Sequence, residues 1–411
     1  MKVQVITVLP PASPGRDEQG GTRRLALFMN ALATLAPRIE IAHFVPEAAI
    51  AAPGNPAFGD SARRDREQSD YWNHPVGVTL IANHQRRETF RNHYISGVLD
   101  AAEQPLVHHF AGPAQAAAVG EMLDRKPDLV LVNGLAAMCA VLRSGRRPPR
   151  LFFDQMDIDH LVRLRWCLQP PLSPGKLAYL AHMPALIAAE RRSGALARMT
   201  FACSQGDRRH LRRIGIGKVA VIANAVALPA DPPPLPAAPT LLFLGSGGHA
   251  PNIQAIERLV TRIMPLVLRQ APQARLLIAG KGSDTLPSRR EASAGIEYLG
   301  FVPDLAGLYA RARVVCCPIT QGGGTRVKLV EGAAYARPLV ATRIGAEGLD
   351  FADGREILLR DSDAAFAAAC VQLLRDSDRC HRLGEAARAK ALEIYDADRV
   401  RDTIVRLLQQ S

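Results

Sequence analysis

The chain has 411 residues, 48% of them hydrophobic and 22% charged, which suits two folded domains and excludes a disordered or fibrous protein. Its formal charge of +12 and pI near 9.7 point to anionic ligands or an anionic membrane face. Aromatics at 5%, with no stacking platform interleaved among the basic residues, give no sign of a nucleic-acid partner. The seven cysteines are scattered, odd in number and without a C-x-x-C pair, as expected of a reducing cytosol rather than a disulfide framework or a zinc site.

Residues 3–9 read as a strand, too short and too alternating for a signal peptide. A loop to Gly21 and a helix over 23–35 follow, with Leu25, Phe28, Met29, Leu32 and Leu35 on one face. Further strands are expected at 40–45, 78–82, 129–132, 151–154, 200–203 and 219–222, with helices at 114–125, 174–197 and 205–213. Residues 51–75, polar and turn-rich, read as a long surface excursion. The longest apolar run, 129–142, is broken by Asn133 and is too short to span a bilayer. The protein is therefore expected to be cytoplasmic, either soluble or peripheral on the inner face of the membrane.

Residues 228–239 hold six prolines in twelve positions and read as a semi-rigid linker. A second series begins after it, with strands at 241–244, 275–279, 296–299, 314–318, 339–342 and 357–359. Its helices fall at 252–270, 305–312, 325–336, 363–376 and 378–392. The expected organisation is α/β, with two Rossmann-like parallel-sheet domains facing a cleft: 1–228, a linker at 229–239, and 240–395. A final amphipathic helix in 396–411 could pack back on the first domain.

The most informative segment is Gly322-Gly323-Gly324-Thr325-Arg326-Val327-Lys328-Leu329-Val330-Glu331. It joins an expected buried strand to an expected helix. A glycine loop at a helix N-terminus offers free N–H groups and a positive dipole end to an anion. Arg326 and Lys328 add two charges, and Glu331, one to two turns in, could reach a sugar hydroxyl. The combination suits a diphosphate joined to a polyhydroxylated group. An ordinary strand-to-helix turn remains open, since neither the P-loop spacing nor the dinucleotide fingerprint is present.

Several other residues have two readings at this stage. Asp154, Asp157, Asp159 and His160 could contact an acceptor, hold a metal or form a polar wall. His108 and His109 could serve the acceptor or be structural. His249, in a glycine-rich turn, could be a contact or a bystander. The basic runs at 143–150 and 208–218 could be solvated faces or could meet an anionic membrane.

In order along the chain, Leu242-Phe243-Leu244-Gly245-Ser246, Pro251-Asn252, Leu277-Ile278-Ala279-Gly280-Lys281-Gly282, Gly300-Phe301-Val302-Pro303-Asp304-Leu305 and the run 322–349 resemble the GT-B glycosyltransferases. The likeness is specifically to the large retaining family that uses nucleotide-sugar donors, glycosyltransferase family four. The first half is similar more loosely, through Gly20-Gly21, Cys203-Ser204 and Asn224-Ala225-Val226.

The resemblance implies transfer of a hexose from a nucleoside-diphosphate sugar to a glycan or lipid-linked acceptor, in bacterial polysaccharide biosynthesis, with no metal and no cofactor. It implies Arg326, Lys328 and Glu331 as the catalytic group, Glu331 on the ribose. Donor contacts are implied at Gly20, Gly21, Gly245, Ser246, Val302, Pro303, Gly323, Gly324, Thr325 and Leu329, with Val302 and Pro303 bracketing the nucleobase. Acceptor-side candidates are His108, Asp157 and His160. Gly323 stands where the family's first motif glutamate is usual, and Gly247-Gly248-His249 where an Arg and a Lys are usual. Those departures leave room for a catalytically silent nucleotide-sugar-binding subunit, or for another GT-B enzyme such as an epimerase or phosphorylase.

Overall fold

The computed structural model describes residues 1–9, 20–47, 60–87, 89–291 and 295–410. It divides into two compact units, residues 1–223 with 401–411 (unit 1) and residues 224–400 (unit 2). Unit 1 is built on a seven-stranded sheet of β1 Val3–Thr7, β2 Ile39–Val45, β3 Val76–Ala82, β4 Leu129–Asn133, β5 Leu151–Asp154, β6 Met199–Ala202 and β7 Val219–Val221. Their order is β3-β2-β1-β4-β5-β6-β7, and every pairing is parallel. β1 and β4 are buried along their whole length, Val5 opposite Ile41 on one side and Leu131 on the other. Strands covered on both faces read as continuous apolar runs, which is why they stand out in the sequence.

Unit 2 repeats the plan with six strands: β8 Thr240–Leu244, β9 Arg275–Ala279, β10 Ile296–Gly300, β11 Val314–Cys317, β12 Leu339–Ala341 and β13 Ile357–Leu359. The order is β10-β9-β8-β11-β12-β13, again all parallel. In each unit the strand order reverses beside the first strand, between β1 and β4 and between β8 and β11. Sheets of this kind hold ligands outside the carboxyl ends of their strands at that switch point. The two parallel-sheet Rossmann-like domains expected from the sequence are thus present.

Local departures have local causes. Ser61–Trp72, inside the expected surface excursion, is a helix whose N-cap Asp60 accepts from the amides of Ala62 and Arg63. Its composition is so polar that hydrophobic periodicity gives no warning of it; residues 48–59 lie outside the described residues. The expected helix 174–197 is broken into Pro174–Ala178, a 3₁₀ turn at Tyr179–His182 and Met183–Leu196, with Pro184 at the start of the last piece. Helices Leu135–Ser144 and Asp159–Leu168 were not anticipated. The first is the tail of the apolar run that starts in β4, split from it by a positive φ at Gly134.

The proline segment is fastened to unit 2 by arginines. Arg337, 1% exposed, donates to the carbonyls of Pro233 and Pro234; Arg313 donates to that of Pro236; Arg388 to those of Pro229 and Ala230. Proline carbonyls in an extended run have no ladder to join, so these guanidiniums satisfy them. Residues 401–411 belong to unit 1, where Leu408 O accepts from Arg150.

Candidate functional site

The switch point of unit 2 is made of glycine loops locked backbone to backbone. After β8, Gly245 N donates to Ala279 O (2.8 Å) and Gly247 N to Lys281 O (2.9 Å). A side chain at Gly247 would collide with the Gly282 carbonyl, and Gly280, at φ +134°, lies as close to the Gly245 carbonyl. Gly280 N in turn donates to Gly300 O (2.7 Å), so the carboxyl ends of β8, β9 and β10 are tied in one line. On the other side of β8, β11 runs into the loop 318–326, where Gly322 and Gly324 take φ of +100° and +70°.

Two helices start at this point, Ala250–Arg258 after β8 and Val327–Ala334 after β11, and neither has a side-chain cap. Three helices that start elsewhere in unit 2 supply their own: Asp304 caps Leu305–Arg311, Ser362 caps Asp363–Arg375, and Asp376 caps Ser377–Ile394. The uncapped first turn of Val327–Ala334 leaves N–H groups for an outside acceptor.

Lys328 sits one residue inside that helix. Its Nζ donates to Asn252 Oδ1 (2.8 Å) and lies 4.2 Å from the centre of the Phe243 ring; Asn252 Nδ2 donates onward to Ser246 O (3.1 Å). The ammonium is thus held against the glycine loop by a neutral amide and an aromatic face, and among the described residues it has no carboxylate partner. Desolvation lowers its pKa to about 8, with the Arg326 charge adding to the effect against the opposing pull of Cys317 and Glu331. His249, at the start of the other helix, is also held below the usual imidazole value, first by desolvation and then by Arg326 and Lys328. Three basic groups therefore sense one another across this loop pair, an arrangement an anion would relieve.

Arg326 does different work. Its guanidinium donates to Gly323 O, Gly324 O (2.7 Å) and Gln321 O (3.2 Å), so it shapes the glycine loop from within. The sequence suggested a direct diphosphate contact; the structure gives this side chain three carbonyls first. Thr325 Oγ1 accepts from Asn224 Nδ2 (2.6 Å). Glu331 is buried, three residues beyond Lys328 on the same helix face, while Leu329 is fully buried in the core. Val302 and Pro303 follow β10 beside exposed Phe301, and the next residue, Asp304, neighbours Tyr335 together with Glu331. Gly245, Ser246, Gly323, Gly324, Thr325, Arg326 and Lys328 are thereby brought together. Asn252 and Phe243, which hold the lysine, were quoted in the sequence only as motif residues.

The unit 1 candidates have a separate setting. Gly20 and Gly21 open the helix Gly20–Ala33; a Cβ at Gly21 would stand 3.2 Å from Leu9 Cδ1. Residues 10–19, the rest of that loop, lie outside the described residues. The switch point itself is filled by protein. Arg24, 1% exposed, pairs with Asp154 (2.7 Å) and donates to Ile222 O; Asn133 Nδ2 donates to Asp154 Oδ2 (2.8 Å), and Thr7 Oγ1 to Asn133 Oδ1 (3.2 Å). Burial works against the charge on Arg24, and Asp154 more than restores it. Asp157 is exposed. His160 is buried between Glu190, which pairs with its Nδ1, and His210 Nε2 at 2.9 Å. Burial raises Asp159 nearby well above the usual carboxylate range, helped by Glu190 and Asp157. His108 is buried on the turn before helix Pro113–Asp124, its ring 3.8 Å from that of His109 and its Nδ1 on Gln104 O. A carboxylate already orients His160, so its imidazole faces inward partners.

Residues 238–376, within unit 2, match the family model described as "Glycosyl transferases group 1". The "Putative glycosyltransferase EpsD" of Bacillus subtilis (strain 168) is 30% identical over 159 residues, 37% of this chain and 41% of that protein. The phosphatidyl-myo-inositol mannosyltransferase of Mycobacterium leprae (strain TN) is 30% identical over 177 residues, 41% of this chain and 46% of that protein. The matched stretch thus spans less than half of each curated relative. Among solved structures, Anabaena Alr3699/HepE in complex with UDP-glucose superposes over the whole of both chains with a TM-score of 0.62 at 15% identity. Sucrose-phosphate synthase from Thermosynechococcus elongatus covers 98% of its own length with a TM-score of 0.70 at 16% identity. At such identities the likeness is one of fold. No helix among the described residues is long and apolar enough to cross a membrane.

Proposed function

We propose that this protein is a glycosyltransferase that takes a hexose from a nucleoside-diphosphate sugar held in unit 2 and passes it, with retention, to a glycan or lipid-linked acceptor in polysaccharide assembly. The observation that carries this reading is the under-neutralised switch point: an enclosed lysine that forms no ion pair among the described residues, beside an uncapped helix start and interlocked glycine loops. The family match falls on this same unit, and the relatives that act on sugars support the substrate class.

In this mechanism the diphosphate lies against Lys328 and the first amides of helix Val327–Ala334. As the glycosidic bond breaks, the leaving diphosphate gathers negative charge, and those fixed donors stabilise it more than they stabilise the bound donor sugar. Arg326 holds the loop that carries these groups, and its charge adds to the field. Glu331 accepts from a ribose hydroxyl, and Val302 and Pro303 border the base. The acceptor hydroxyl attacks from the face that the diphosphate leaves and gives its proton to the departing phosphate oxygen, so no protein nucleophile is needed and no step calls for a metal.

The test is a thermal-shift screen of the full chain with UDP, GDP, ADP and their sugars, followed by donor hydrolysis. One nucleoside diphosphate is expected to stabilise the protein, and its sugar to be slowly hydrolysed. Stabilisation without hydrolysis or transfer to any glycan would make the chain a silent binder. No stabilisation by any of them would overturn the donor site.

A further inference from the structure

Unit 1 carries an apolar face away from its core. Two segments build it, residues 89–99 and 160–182, and they meet through aromatic rings. Tyr94 lies 5.1 Å from Phe90 and 5.5 Å from Tyr179, and Trp166 stands 5.5 Å from Tyr179. On these segments Phe90, Ile95, Leu99, Trp166, Leu168, Leu172 and Leu177 are exposed, Phe90 at 73% and Leu172 at 60%. Single exposed apolar residues are ordinary; seven on two touching segments are not.

Between these bounds the charge is basic, with Arg91, Arg163, Arg165 and Lys176 and no aspartate or glutamate; acidic residues flank them in sequence at Glu88, Asp100, Asp157 and Asp159, the last of which feels the Arg163 charge. The Arg163 guanidinium lies over the Trp166 and Tyr179 rings (5.7 and 5.1 Å), and Lys176 Nζ over Trp166 (5.5 Å). Two cations are thus stacked on the rings of an exposed apolar face, and Lys176 Nζ also donates to the carbonyls of Gln169 (2.9 Å) and Pro171 (3.0 Å).

The basic run at 143–150, read from the sequence as a possible membrane face, is largely engaged inside the molecule. Arg143 pairs with Asp100 and Glu103, Arg146 with Asp124, and Arg150 donates to Leu408 O.

We propose that the face formed by residues 89–99 and 160–182 docks on an anionic lipid bilayer. Trp166 and the leucines enter the headgroup boundary while the four basic residues meet lipid phosphates. Tryptophan and tyrosine favour that boundary, and basic residues near such a surface are drawn to its anionic headgroups. A second copy of this chain is the weaker occupant, because twofold pairing would set four cations against the same four. The inference extends the lipid-linked acceptor of the proposed function to a place where it would be met. It rests on that reading only for its purpose; its residues and its test are independent of donor binding.

The experiment is co-sedimentation of the full chain with vesicles of phosphatidylglycerol and phosphatidylcholine, and with phosphatidylcholine alone. It is run beside Trp166 emission in a Trp72→Phe background. Binding to the anionic vesicles, with a blue shift, is expected. Leu168→Ser/Leu172→Ser, both exposed and therefore neutral for folding, is expected to weaken it at least tenfold, and Arg165→Gln/Lys176→Gln to weaken it and reduce its salt dependence, Arg91 and Arg163 being left in place. Thermal shifts with nucleoside diphosphates should be unchanged in both variants, so failure here is separable from failure of the donor site. Undiminished vesicle binding by the leucine variant would assign the membrane to other basic residues and overturn the proposal. So would absence of vesicle binding, or a concentration-dependent dimer that the leucine variant abolishes.

Discussion

Both units place a cation at the carboxyl ends of their central strands, and they keep it in opposite ways. In unit 1, Arg24 faces Asp154, and Asn133 and Thr7 complete the chain of hydrogen bonds across β1, β4 and β5. In unit 2, Lys328 faces the amide of Asn252 and the ring of Phe243, and its nearest charged neighbours include the like-charged Arg326. A matched buried charge is structure: removing either partner strands the other. An unmatched one is capacity, a cost in the empty protein that an anionic ligand turns into affinity. A cation at the switch point of each sheet is thus a strut in one unit and a site in the other, although it comes from the helix after β1 in the first and from the helix after β11 in the second.

The largest expected effect breaks the strut. Arg24→Met leaves Asp154 buried without its counter-charge and should lower stability by about 3–5 kcal/mol. Arg24→Met/Asp154→Leu removes both charges and should recover at least half of that. Urea unfolding followed by circular dichroism reads both, and a loss below about 1 kcal/mol in the single variant would show that the pair is not the strut described here.

The same kind of change in unit 2 should have the opposite profile. Lys328→Met removes a charge that burial penalises and that forms no ion pair among the described residues, so the melting temperature should hold or rise. Affinity for the nucleoside diphosphate should fall by about 1.5–3 kcal/mol, roughly one to two decades. Calorimetric titration and thermal unfolding check the two halves. A variant that loses stability and keeps its ligand would reverse the comparison. Glu331→Gln should cost less, about 1 kcal/mol, and should weaken nucleosides along with diphosphates, because the ribose is common to both.

This contrast was half legible in the sequence. The glycine loop and Lys328 stand out because strand, Gly-Gly-Gly and helix follow in a fixed order, and the strand series was readable because buried parallel strands are continuous apolar runs. Arg24 left a weaker signal: it shares a helix face with Phe28 and Leu32, where a charge demands a partner, but nothing local names Asp154, 130 residues away. The same distance problem hid Glu190 behind His160 and Asn252 behind Lys328. Helix Ser61–Trp72 escaped because its residues are almost all polar and its cap, Asp60, is only recognisable once a helix is known to follow. The charge of Arg326, its place at the helix start and the family resemblance all point to a ligand contact, whereas the loop carbonyls it binds are set by glycine dihedrals that spacing does not reveal.

The smallest effect is the most specific to Lys328. Its pKa of about 8 in the empty protein lies below the 10.5 of an unfolded lysine. Between those values the unfolded chain holds more protons, so stability rises with pH across that window, and below about 8 the full penalty is present. Ligand binding runs the other way. A diphosphate favours the charged lysine, so binding takes up a proton near pH 8–9, and affinity should fall as pH rises through that range. With a pKa of about 8, the protonated share drops from roughly half at pH 8 to about a tenth at pH 9, a loss of about fivefold in affinity, or about 1 kcal/mol. Lys328→Arg keeps its charge throughout and should flatten the profile, at some cost in fit against Asn252. Titration calorimetry in two buffers of different ionisation enthalpy measures the proton directly. A wild-type affinity that is level from pH 7.5 to 9.5 would mean the lysine is already fully charged in the empty site, and the capacity argued for unit 2 would have to rest on the helix N-terminus alone.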